Sequence, residues 1–272
     1  MATVAATTID KTNRLTVSEA GLAAGGTLPR PEHIANPSWA RSIWLGLEML
    51  VLFVGLPLAL VFAVETLRLP LFVILPPVLI VFVVVLLADR SFLLRRELIR
   101  LPSLYELSSI LAIFLIAGGA VAAFVQQTMP GQFLAFPTQR PETWARVMIL
   151  YPLLSVPVQE LVYRTFFFHR YGPLFGARRG LLVVTNGLLF GLAHIVFGNW
   201  VAIAGSGLIG MLIAYRYEAT RSFWAIWLEH ALWGALVFTV GLGGYFFTGR
   251  DNLPAWGYLQ GVMEQIGRLG WF

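Results

Sequence analysis

The chain has 272 residues, 58% hydrophobic and 12% charged, with a mean hydropathy of +0.76, whereas soluble domains carry about a quarter charged residues. That composition excludes an ordinary soluble domain and defines an integral membrane protein. The lack of cysteine excludes disulfides, iron–sulfur clusters, thiolate zinc sites and thiol nucleophiles. The net charge of +5 comes from arginines in short runs beside apolar segments, as in RSFLLRRELIR (90–100), a pattern that sets membrane topology and does not suggest nucleic-acid binding.

Residues 1–38 are rich in Ala, Thr, Gly and Pro, show no periodicity and lack a signal-peptide pattern. They are expected to form a flexible cytoplasmic tail ahead of a membrane domain over 39–272. A spanning helix needs about 20 mostly apolar residues. Seven segments qualify, roughly 42–64, 68–88, 105–126, 146–168, 181–197, 200–216 and 222–247. The predicted fold is therefore all-α, a polytopic membrane helix bundle of about seven transmembrane helices. Pro57, Pro76, Pro77, Pro152 and Pro157 predict kinks that neighbouring helices must compensate. The fifth and sixth helices, joined by the turn from Phe197 to Trp200, should pair as a tight hairpin.

With the N-terminus inside, thirteen of the nineteen Lys and Arg residues, Arg170, Arg178, Arg179 and Arg216 among them, fall on cytoplasmic segments. Five fall outside and Arg164 lies within the fourth helix. That bias predicts an N-in, C-out topology. Phe166, Phe167 and Phe168, with the tryptophans at 200, 224, 227 and 233, read as lipid-facing or interfacial aromatics.

Ionisable groups inside such helices are costly. The fourth helix carries Gln159, Glu160 and Arg164, the fifth His194, and the seventh Glu229 and His230. Counted inward from the cytoplasmic ends at about 1.5 Å per residue, His230, Glu160 and His194 lie roughly 12, 13 and 21 Å deep, close enough for one layer. Each also has a plainer reading. Glu160 and Arg164, four residues apart, suit an intrahelical ion pair. His194 suits a core imidazole bonded to a carbonyl, and Glu229 and His230 suit snorkelling toward water. Convergence of all three positions points instead to catalysis, metal binding or proton relay.

At these residues the sequence resembles the CPBP family of intramembrane glutamic peptidases, which includes the CAAX prenyl endopeptidases and bacteriocin-processing or immunity proteins. The stretches that carry the resemblance are QELVYR (159–164), FGLAH (190–194) and HALWG (230–234), with a Gly-rich helix between the last two, and it covers roughly 144–247. The resemblance implies that a glutamate of the first motif and His194 activate water while His230 stabilises the oxyanion, with Phe190 in a supporting place. Two positions depart from the family pattern: Gln159 stands where the first glutamate is expected, and Gly234 where an asparagine is expected. Glu160 or Glu229 could then act as base. His230 remains an oxyanion donor, and Asn186 shares a helix face with Phe190 and His194.

The function expected from these residues is an intramembrane endopeptidase that cleaves a membrane-associated polypeptide with water activated by glutamate and histidine. Its partners would be the lipid bilayer and that polypeptide, with no nucleic acid, no cofactor and no metal. The expected location is the bacterial inner membrane. Two alternatives stay open: a catalytically degenerate relative that binds a peptide or serves in immunity, and a metal-dependent peptidase or transporter using Glu160, His194 and His230.

Overall fold

Helices that are apolar all round can bury one side against each other and leave the other to lipid. The computed structural model describes residues 37–66, 71–89, 92 and 100–246, so residues 1–36 of the expected tail lie outside the described residues. Among the described residues, six helices are long and apolar enough to cross a membrane: α1 (Trp39–Val64), α3 (Leu104–Thr128), α4 (Pro141–Phe175), α5 (Arg179–Phe197), α6 (Trp200–Thr220) and α7 (Phe223–Val240). The expected second span is helix α2, Leu71–Ala88, whose Pro76–Ala88 portion is shorter than the six. The described residues contain no strand. Side chains such as Val51, Ile116 and Leu153 are at least 60% exposed on the outer surface, as a bundle solvated by lipid requires.

Pro57 and Pro157 are accommodated by widening the helix, whereas Pro76 and Pro77 lie within the α-helix Leu71–Ala88. Proline has no N–H and crowds the preceding turn. Pro57 and Pro157 each follow a π-helical turn, Val51–Gly55 in α1 and Tyr151–Ser155 in α4. Leu56 and Val156 donate to the carbonyls five residues back, those of Val51 and Tyr151. The Pro152 carbonyl, five residues before Pro157, receives the Trp227 indole N–H of α7 at 2.8 Å. A neighbouring helix thus supplies the donor that the proline lacks. A further π segment, Leu161–Phe166, follows Glu160 directly.

The α5–α6 hairpin forms as expected. Gly198 turns the chain at φ 69°, and Asn199 caps α6 by accepting from the Ala202 N–H at 2.9 Å. Beyond the turn the two backbones nearly touch. A Cβ at Gly191 would lie 2.6 Å from the Ile203 carbonyl oxygen and 2.9 Å from the Gly207 Cα. Small residues are what permit such contact between membrane helices. Gly191→Ala is therefore expected to cost about 1 to 3 kcal/mol by overpacking. The check is thermal unfolding in detergent beside Gly205→Ala, whose Cβ would meet nothing within 4 Å.

The phenylalanines of α4 correct the sequence expectation. Phe166, Phe167 and Phe168 are 3%, 0% and 3% exposed, and Trp233 is also buried, while Trp200 and Trp224 do lie at the surface. Successive helical residues point about 100° apart, so three in a row reach lipid unless α4 is surrounded. It is surrounded at this level. Phe166 meets Phe82 of α2 at 4.8 Å between ring centroids, Phe167 meets Phe53 of α1 at 5.0 Å, and Phe168 meets Tyr217 of α6 at 5.1 Å.

Candidate active site

Glu160 closes the α-helical stretch of α4 that follows Pro157, and His230 lies near the middle of α7. Both are buried, and Glu160 is 0% exposed. The His230 Nδ1 lies 2.6 Å from Glu160 Oε1. An ionised carboxylate can only accept, so Nδ1 carries the hydrogen and the lone pair of the neutral imidazole is on Nε2. His194 sits where α5 tightens into its final 3₁₀ turn. Its Nδ1 is 2.8 Å from the Phe190 carbonyl oxygen one turn back. The same reasoning places the hydrogen on Nδ1 and the free lone pair on Nε2.

Phe190 joins these groups. Its ring centroid is 4.8 Å from the His194 ring and 5.6 Å from the His230 ring. The sum of those distances bounds the separation of the imidazoles, and it falls below the roughly 12 Å beyond which one carbonyl and its water could not span both. Arg164 lies on the same ring, its guanidinium carbon 4.4 Å from the centroid, and its Nη2 donates to the Gly210 carbonyl of α6 at 3.2 Å. Arg164 Nε is 3.5 Å from Glu160 Oε2, too long for a good hydrogen bond. The intrahelical ion pair therefore exists as a balance of charge, while the hydrogen-bond partner of Glu160 is His230.

The other candidates are committed elsewhere. The Gln159 amide donates to Ser155 Oγ at 2.9 Å. Asn186 Nδ2 donates to the Tyr163 carbonyl at 2.6 Å. The π register explains this bond, because the Phe167 N–H reaches the carbonyls of Val162 and Arg164 and passes over that of Tyr163. Glu229 forms a two-pronged pair with Arg216 of α6, Nη2 to Oε1 at 2.9 Å and Nε to Oε2. Arg216 Nη1 also donates to Ser109 Oγ of α3 at 2.9 Å. Glu229 and Arg216 are both buried, so Glu229 does not snorkel and Arg216 is no cytoplasmic surface charge. The sequence did hold a signal for this pair. Residues 216 and 229 stand nearly level on either side of the α6–α7 turn, where a buried carboxylate needs a cation.

Two residues take on meaning only in three dimensions. A Cβ at Gly234, one turn beyond His230, would overlap Cε1, Cζ and the hydroxyl of Tyr151, so the phenol of α4 lies against bare backbone of α7. The Tyr151 ring is also 6.0 Å from the His230 ring. Among the described residues, no three His, Asp or Glu side chains group so as to hold a metal ion.

A polytopic helix bundle with a carboxylate–imidazole pair buried between two spans belongs to the membrane-embedded class that the motifs suggested. Residues 141–236 match the family model of the type II CAAX prenyl endopeptidases, Rce1-like, and through that segment the chain is similar to this protease family. No curated protein and no solved structure gives a significant match.

Proposed function

We propose that this chain is an intramembrane endopeptidase acting on a polypeptide held at the membrane. The observation that carries the proposal is the 2.6 Å Glu160–His230 contact between two spans, with His194 against the same Phe190 ring. A buried charge of this kind is costly and is kept where it serves a function. Water donates its hydrogens to the Nε2 atoms of His230 and His194, and its oxygen attacks the carbonyl carbon. The new C–O bond forms as the C=O π pair moves onto the carbonyl oxygen. One water proton passes to His230, and Glu160 compensates the imidazolium. Collapse re-forms the carbonyl and breaks the C–N bond, and the departing amine takes the proton from His230. His230 accepts the proton because its Nε2 lone pair is free, while Oε1 of Glu160 holds the Nδ1–H and Oε2 balances the Arg164 guanidinium 3.5 Å away.

The test is cleavage of a quenched fluorescent farnesylated CAAX peptide, and of membrane proteins that accumulate uncut in cells lacking this chain, by purified protein in liposomes with and without a chelator. Chelator-insensitive cleavage is expected. Loss of activity on chelation would revive the metal-dependent alternative. A stable chain that cuts nothing would support the second reading, peptide binding without hydrolysis, which the complete burial of Glu160 favours.

The site is proposed to open toward the cytoplasmic half of the bilayer, from the arginine bias. A cysteine at the exposed Ala177, in the α4–α5 turn, should be labelled from outside only after the cells are permeabilised. Ala177 is preferable to Gly176, whose φ of 52° would strain any side chain. Labelling in intact cells would invert the topology.

A further inference from the structure

Attack on a peptide carbonyl leaves negative charge on its oxygen, and a site shielded from water needs a donor aimed there. Neither imidazole has an N–H to spare, because each Nδ1–H is spent, on Glu160 Oε1 and on the Phe190 carbonyl. Asn186 donates to Tyr163. Arg164 is 0% exposed and covered by the Phe190 ring.

Tyr151 is placed differently. Its ring stands edge-on to His230, with centroids 6.0 Å apart and planes at 71°, and Phe238 holds it from α7 at 5.6 Å. The hydroxyl end lies on the Gly234 backbone, in space that any side chain at 234 would fill. Among the described residues no group bonds the hydroxyl, and the residue is only partly buried. The donor is thus positioned by packing alone and stays free for a ligand.

We infer that Tyr151 is a catalytic residue of this site, its O–H donating a hydrogen bond to the carbonyl oxygen of the scissile peptide as that oxygen gains charge. The inference rests on the hydrolytic function proposed above. It also gives Gly234 a purpose, since the missing side chain makes room for the phenol beside His230.

The test uses the full chain in detergent with the quenched farnesylated CAAX peptide, reading kcat, KM and thermal midpoint together. Tyr151→Phe keeps the ring packing and is expected to lower kcat about 10²- to 10³-fold, as loss of one oxyanion donor does, with KM and midpoint unchanged. Gly234→Ala should give a similar loss with Tyr151 present, because the methyl displaces the phenol. Tyr151→Ala combined with Gly234→Asn places an amide donor in the vacated space and should recover about tenfold over Tyr151→Ala alone. Wild-type kcat in Tyr151→Phe would overturn this inference and leave the proposed function standing. A kcat loss matched by a fall in midpoint, without recovery in the double variant, would overturn it in favour of packing. A wild-type chain that cleaves neither the peptide nor any accumulated membrane protein would overturn both.

Discussion

Glu160→Gln is expected to lower kcat about 10³- to 10⁴-fold, the scale seen when the carboxylate behind a catalytic imidazole becomes an amide. Glutamine can still accept the His230 Nδ1–H, but it cannot compensate the imidazolium that forms when water is deprotonated. The same change removes the carboxylate that balances Arg164, 3.5 Å away in a fully buried place. Leaving that guanidinium alone should cost about 3 to 5 kcal/mol of stability. The two consequences separate in Glu160→Gln combined with Arg164→Met. The double variant should regain thermal stability and stay inactive, measured on one purified preparation. Recovery of cleavage would mean that Glu160 serves only as counter-ion to Arg164.

Glu229→Ala is expected to destabilise the bundle by about 3 to 5 kcal/mol, because it strands Arg216 in the interior between α3, α6 and α7. Replacing both partners, Arg216→Met with Glu229→Leu, should bring stability close to wild type, since two apolar side chains carry no desolvation penalty. Thermal unfolding in detergent checks both variants. Cleavage by the folded double variant is expected to persist. A stable double variant without activity would restore Glu229 as a candidate base.

The buried polar positions of the bundle were more legible in the sequence than its packing. A carboxylate and two imidazoles inside apolar helices announce themselves by their cost, and His194 and His230 both meet the Phe190 ring, with Glu160 bonded to His230. The hairpin was equally readable from its short connection, Phe197 to Trp200. Hydrophobicity gives no such guide to which apolar face meets protein and which meets lipid, so Phe166, Phe167 and Phe168 read as lipid-facing or interfacial although three helices enclose them. The π turns were hidden too. They shift the register of α4 without altering its composition, and the Asn186–Tyr163 bond follows from that shift. The contact of Tyr151 with Gly234 depends on how two helices cross, which no local pattern encodes.

Helix α4 spans 35 residues, about 50 Å at 1.5 Å per residue, against a hydrocarbon core of about 30 Å. One end is moored. Arg170 donates to Glu48 Oε1 of α1 at 2.8 Å, and the Tyr171 hydroxyl to the same oxygen at 3.0 Å. The surplus length must be taken up by tilt or by protrusion at the Pro141 end. The depth of Glu160 is then measured from its mooring, and the far leaflet has little hold on it. Lipids of different acyl length would raise or lower the opposite interface around a site that stays put. Under the proposed hydrolysis, the distance from this mooring, and not the thickness of the bilayer, is then the ruler that sets how far a bond must lie from an anchor in the near leaflet to reach the Glu160–His230 pair.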